Sequence, residues 1–232
     1  MAERYSLGWY GKLPGAGDFL LRRVSNETVA HWSNWFESGL SLWHEQHTAT
    51  STDYDAAPVW NFALPATLGV QRVQIGCLLP SRDRVGRAWP LLALSSFSPA
   101  HWHPAQLTLA GDWFDQLGIT LKQAVIEKLD AEALDKRLMT LPPLTVPTGQ
   151  PSAILEVLGW HALPTSLRWE EVAARFAPEQ YASYWWTNQG DGYPHSTHKH
   201  SGKLTAQLFS TLFNPALGSR SGQHGLYPPM FE

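Results

Sequence analysis

The sequence predicts an α+β sandwich, a sheet with helices packed against it. Three observations predict this. Short apolar runs suited to strands crowd the first half of the chain. Helical periodicity lies between and after them, and the composition is that of a packed core. Of 232 residues, 44% are apolar and 16% charged, which excludes disorder. We read residues 1–232 as a single domain: the segment after its proline-rich stretch is thin for an independent core.

Taken in order, Tyr5–Gly11 has strand-forming aromatics and opens the sheet. "SNETVAHWSNWFESGLSLWHEQ" follows. Ser25 or Asn26 caps it, and Val29, Trp32, Phe36, Leu40 and Trp43 form one stripe, widened by Trp35 and Leu42. This is an amphipathic helix. The polar "HTATSTDYDAA" reads as a loop, and "PVWNFALP" as a short strand between prolines. "VQIGCLLP" and "AWPLLALSSF" are buried strands joined across "SRDRVGR", with Pro90 at a strand end or edge.

Residues 105–129 repeat apolar positions from Leu107 to Val125 and predict one long helix, weakened by Gly111 and Gly118. Asp130 caps a shorter helix reaching Leu138. The four prolines of "TLPPLTVPTGQP" make a surface crossing near 141–151. Residues 167–176 read as a helix stopped by Pro178, "YASYWWTN" as a strand and "GDGYPHSTHKHSG" as a loop. "KLTAQLFSTLFN" is a final helix ended by Asn214-Pro215.

Composition narrows the function. Net charge is −3 with both signs interspersed, so no basic stripe serves nucleic acid. The lone Cys77 forbids an internal disulfide and lies in an apolar run, as a small buried hydrophobe. The N-terminus has no apolar signal region, and no window approaches roughly 18 uninterrupted apolar residues. We therefore expect a soluble, cytoplasmic protein. Twelve Trp residues are the compositional outlier; most are expected in the core, the rest as candidates for gripping a partner.

"GKLPGAGDF", Gly11–Phe19, invites a phosphate-binding reading that its spacing refuses. Lys12 precedes the glycines, Leu13 occupies the hydroxyl position, and Leu20 stands where a dinucleotide fingerprint needs its third glycine. The segment is a tight turn, with Lys12 and Asp18 as exposed candidates for contact. No catalytic set emerges from the Ser and Asp residues, and no cofactor is expected. One alternative stands: Asp191, His195, His198 and His200 present a pattern able to ligate a metal for hydrolysis, although they fall in a predicted loop without a Cys partner.

"PSRDRVGR" is more informative. Arg82, Arg84 and Arg87 surround Asp83 at a loop tip, where arginine forks suit carboxylates and phosphates. Two readings remain open: recognition of an acidic or phosphorylated partner, or a turn shaped by Asp83 and Gly86 with solvated arginines. In "SYWWTN", Trp185 and Trp186 are strand neighbours that point to opposite faces. If one enters the core, the other needs cover from a helix of this chain or from a partner.

Together, "GWYGKLPGAGDFLLRR" (Gly8–Arg23), "PVWNFALP" (Pro58–Pro65), "LLPSRDRVGRAWPL" (Leu78–Leu91) and "SYWWT" (Ser183–Thr187) resemble the type VI secretion-associated TagF family. The resemblance runs from the N-terminus to at least Thr187, most of the chain. It implies a mixed, largely antiparallel sheet flanked by helices, longin- or profilin-like. It also implies a bacterial, cytoplasmic, non-enzymatic repressor that acts after translation by engaging an FHA-domain scaffold protein. The expected contacts are Lys12, Asp18, Arg82, Asp83, Arg84, Arg87, Trp185 and Trp186, with no metal and no nucleic acid.

Overall fold

The computed structural model describes residues 7–47, 54–144 and 166–213. The segment 152–158, most of the proline-rich crossing and Asn214-Pro215 lie outside them. Seven strands among the described residues form one sheet: β1 (Leu7–Gly11), β2 (Leu20–Arg22), β3 (Trp60–Leu64), β4 (Val73–Leu79), β5 (Leu91–Phe97), β6 (Ala182–Thr187) and β7 (Thr197–Ser201). Their order across the sheet is β2-β1-β5-β4-β3-β6-β7. Every pairing among these strands is antiparallel, in line with the largely antiparallel sheet expected. The α+β class stands.

Among the described residues six α-helices cover the two faces: α1 (Asn26–Gln46), α2 (Ala105–Thr108), α3 (Gly111–Ile126), α4 (Ala131–Met139), α5 (Glu170–Arg175) and α6 (Ala206–Leu212). Strand alternation divides the core between them. Trp9, Ala63, Ile75, Cys77, Leu91, Ala93 and Trp186 point toward α3 and α4, meeting Phe114, Leu117, Leu121, Leu134 and Leu138. Tyr10, Trp60, Phe62, Leu78, Leu92, Leu94 and Trp185 point the other way, toward α1 and α6. The central strands β3 and β4 are buried along their whole length, which is why they read as continuous apolar runs.

Helix α1 starts where its cap dictates: the Ser25 side chain accepts the Thr28 N–H. Trp32, Trp35, Phe36, Leu40 and Trp43 are buried, whereas Val29 and Leu42 lie at the margin. Three of the buried indoles on this side donate their N–H groups to acceptors on other elements. Trp32 Nε1 donates to Gln74 Oε1 (2.8 Å), Trp35 Nε1 to the Thr205 carbonyl (2.8 Å) and Trp60 Nε1 to the Leu212 carbonyl (2.7 Å). Apolar area binds the layers while these bonds set their register. Gly39 lets α6 approach, since a Cβ there would lie 2.1 Å from Phe209 Cγ.

Three elements differ from expectation. Residues 105–129 are two helices, because Ser166 terminates one and caps the next: its N–H bonds the Thr108 carbonyl, and its hydroxyl accepts the Gly111 N–H at 2.8 Å. Leu20–Arg22 adds a short edge strand on β1. Thr197–Ser201, read as loop, pairs with β6 as β7. No helix among the described residues is long and apolar enough to cross a membrane.

Candidate functional site

The candidate site forms where three sequence-distant pieces meet: the turn Pro14–Phe19, the β4–β5 loop Pro80–Trp89, and the last turn of α3 with its exit to Lys128. The β4–β5 loop is closed by a bridge between Arg82 and Ala88. Asp83 organises it from below. Its carboxylate is buried, with Oδ1 accepting the N–H groups of Val85 (3.1 Å) and Arg87 (2.9 Å). Oδ2 receives Arg87 Nε at 2.6 Å and Lys12 Nζ at 3.1 Å.

Burial alone would raise the Asp83 pKa. The Arg87 backbone N–H and the Lys12 and Arg87 cations overcome it, holding the carboxyl far below the usual range. Two cations and two backbone donors leave this buried charge fully satisfied, as a buried carboxylate requires.

Lys12 is not the exposed contact expected. It is only 6% exposed and lies beneath Phe19, whose ring centroid is 4.8 Å from Nζ. Phe19 in turn stacks on Tyr10 and meets Trp89 edge-on. Asp18 is exposed as expected and takes no part in the Asp83 cluster; its Oδ1 accepts the Phe19 N–H at 2.8 Å. The turn holding both is pressed onto the α3 exit: a Cβ on Gly15 would lie 2.6 Å from the Lys128 carbonyl. That close approach explains the glycine better than any phosphate chemistry.

The three arginines separate into different roles. Arg87 braces Asp83 and donates from Nη2 to the Gly17 carbonyl at 2.8 Å. Arg82 Nε donates to both oxygens of Asp55 (2.8 and 3.0 Å), and its Nη1 donates to the Gly86 carbonyl; the guanidinium lies over the buried Tyr54 ring. Arg84 is exposed, and no described residue makes a hydrogen bond or ion pair with its guanidinium. Asp83 therefore shapes the turn, and of the three arginines Arg84 alone faces outward without a described partner.

Beside Arg84 runs a groove of about 400 Å³. Arg82, Arg84, Lys122 and Lys128 line it over an apolar floor that includes Pro14, Leu79, Val125 and Ile126. The sequence reading missed Lys122, Ile126 and Lys128. The signal was there, since Lys122 and Ile126 fall off the core stripe of their helix on one face.

Trp185 and Trp186 do not join this site. Both are buried, Trp185 against Trp35 and Phe62, and Trp186 against Phe114 and Trp169. Helices of this chain cover each face, so neither is a surface contact in the folded protein. The metal alternative loses its arrangement as well. Asp191 accepts the N–H groups of Val59 (2.7 Å) and Tyr193 (3.1 Å), and burial raises its pKa. His198 packs on Trp60, and burial lowers its pKa to about 4. His200 Nε2 bonds the Lys203 carbonyl, and His195 precedes β7. Among the described residues no three His, Cys, Asp or Glu side chains are placed to hold one ion.

A family model described as "TagF N-terminal domain, Type VI secretion system-associated" matches residues 8–141. The chain belongs to the TagF family. The match spans the Gly8–Arg23 segment, β3, β4, the arginine loop and α1 to α4, so the whole candidate site falls in the TagF region. Among solved structures, the crystal structure of PA0076 from Pseudomonas aeruginosa PAO1 is similar at 25% identity and a TM-score of 0.64, covering 96% of this chain and 99% of that one. No match to a curated protein was found.

Proposed function

We propose that this TagF chain is a cytoplasmic, post-translational negative regulator of a type VI secretion system. It acts by occupying a surface of the FHA-domain scaffold protein, with no bond made or broken. Family membership supports the association with secretion. The observation that carries the binding reading is Arg84: an exposed guanidinium without an ion-pair partner among the described residues, on a loop held rigid by the buried Asp83. A preorganised loop loses little entropy on docking, which suits a contact made by few residues.

The test is capture from a lysate of a bacterium carrying the secretion cluster, with the tagged full chain as bait and mass spectrometry as readout. Arg84→Glu is the informative variant, because Arg82 and Arg87 hold the loop together. The FHA-domain scaffold is expected with wild type and depleted with Arg84→Glu. Failure of folded wild-type bait to retain an expressed scaffold overturns the scaffold as target.

A further inference from the structure

We propose that the groove between the β4–β5 loop and the end of α3 receives an acidic protein segment carrying an apolar side chain. This rests on the reading of that loop as a protein contact and names what it recognises. The charge at the groove runs against that of the chain. Lys12, Arg82, Arg84, Arg87, Lys122 and Lys128 gather around it in a protein of net charge −3.

The nearby carboxylates are already committed. Asp83 is buried under Lys12 and Arg87, Asp55 is held by Arg82, and Asp18 caps Phe19 on the adjoining turn. Glu127, at the α3 exit, is ion-paired with Arg137 at 2.6 Å. Arg84 and Lys128 therefore direct positive charge without an ion-pair partner among the described residues into a concave site, joined by Lys122, whose charge is shared with Asp191. The low-dielectric walls concentrate that potential.

The floor distinguishes an acidic protein segment from a free anion. Ile126, in the lining, is 67% exposed, and Val85, between the lining residues Arg84 and Gly86, is 69% exposed. An inorganic anion makes no use of them, and they give nucleic-acid phosphates nothing to pair with. An acidic segment with one apolar residue satisfies both sets of groups: its carboxylates reach Arg84, Lys122 and Lys128 while its apolar side chain covers Ile126 and Val85. The arginine fork sets orientation and the apolar contact adds affinity.

The test uses the full chain and a fluorescein-labelled peptide in which one Leu is flanked by Glu triplets, read by anisotropy. Arg84→Glu with Lys128→Glu is expected to weaken binding about tenfold or more, and Ile126→Ser severalfold. A charge-matched double change at the far edge of the sheet, Lys199→Glu with Lys203→Glu, leaves binding unchanged. Matching thermal transitions exclude unfolding as the cause. No binding by wild type, equal binding by the groove variant, or equal binding of the Lys-flanked peptide overturns the proposal. So does stronger competition by inorganic phosphate or single-stranded DNA, which assigns the groove to anions in general. If scaffold capture survives the groove double variant, the regulator reading stands without this groove. If the peptide binds as expected while wild type captures no scaffold, the groove stands and the scaffold reading falls.

Discussion

Lys12 Nζ and Asp83 Oδ2 lie 3.1 Å apart beneath the Phe19 ring, joining the turn after β1 to the loop before β5. Both side chains are buried, so the pair acts as a clasp under the candidate site. Its strength comes from completeness, since Arg87 and two backbone N–H groups meet the remaining demand of the carboxylate.

Removing one half leaves the other charge buried and unpaired. Asp83→Ala is expected to cost about 3–5 kcal/mol, read as a lower urea midpoint with unchanged slope. The native pKa is depressed, so the stabilisation is present above the unfolded value of roughly 3.9 and is lost as pH falls below it. The difference between wild type and Asp83→Asn in denaturant melts should therefore shrink on acidification below about pH 4. A constant difference would show that charge is not what Asp83 supplies.

Arg84→Ala touches none of this. Its stability should match wild type within about 0.5 kcal/mol, whereas Arg87→Ala should lower stability measurably. Equal losses in the two variants would contradict the division of roles within the loop.

His198 is 3% exposed against Trp60, with its Nε2 unpartnered, and burial lowers its pKa to about 4. An unfolded histidine titrates near 6.5. Between those values the unfolded chain binds the extra proton, so stability rises with pH through that window and is complete above it. The contribution is on the order of 3 kcal/mol at most, from 1.36 kcal/mol per unit. His198→Phe keeps a ring on Trp60 and should flatten the difference in unfolding free energy between about pH 4.5 and 7.

Gly39→Ala sets two effects against each other. Alanine is the better helix former by roughly 1 kcal/mol, but its Cβ would fall 2.1 Å from Phe209 Cγ. Packing between α1 and α6 is expected to win, with a net loss of about 1–3 kcal/mol. A stabilised variant would show that α6 yields freely.

Trp185→Ala and Trp186→Ala should each cost about 3–5 kcal/mol, as truncations in two different cores. An exposed recognition residue would change partner capture with little effect on unfolding, and these two are expected to do the reverse.

Much of the fold was legible from local pattern. The Ser25 cap and the stripe from Trp32 to Trp43 marked α1, and Asp130 marked α4, because caps and periodicity act within a few residues. The apolar runs of β3, β4 and β5 were equally plain. Thr197–Ser201 was not, since an edge strand exposes polar side chains and becomes a strand only when β6 presents its backbone. The break between α2 and α3 was hidden for a similar reason: Ser166, distant in the chain, supplies the bonds that make it.

The sequence by itself determined the α+β class, the order of its principal elements and the arginine loop as the place to look. Only the tertiary structure decided what each charge does there. Lys12 and Asp83 carry the residue types of an exposed contact, yet long-range packing buries them as a pair. Lys122, Ile126 and Lys128 belong to another part of the chain and join the site through the close packing of Gly15 on the α3 exit. Periodicity reports which face of an element is apolar, but a charged side chain takes its role from neighbours that only folding brings near.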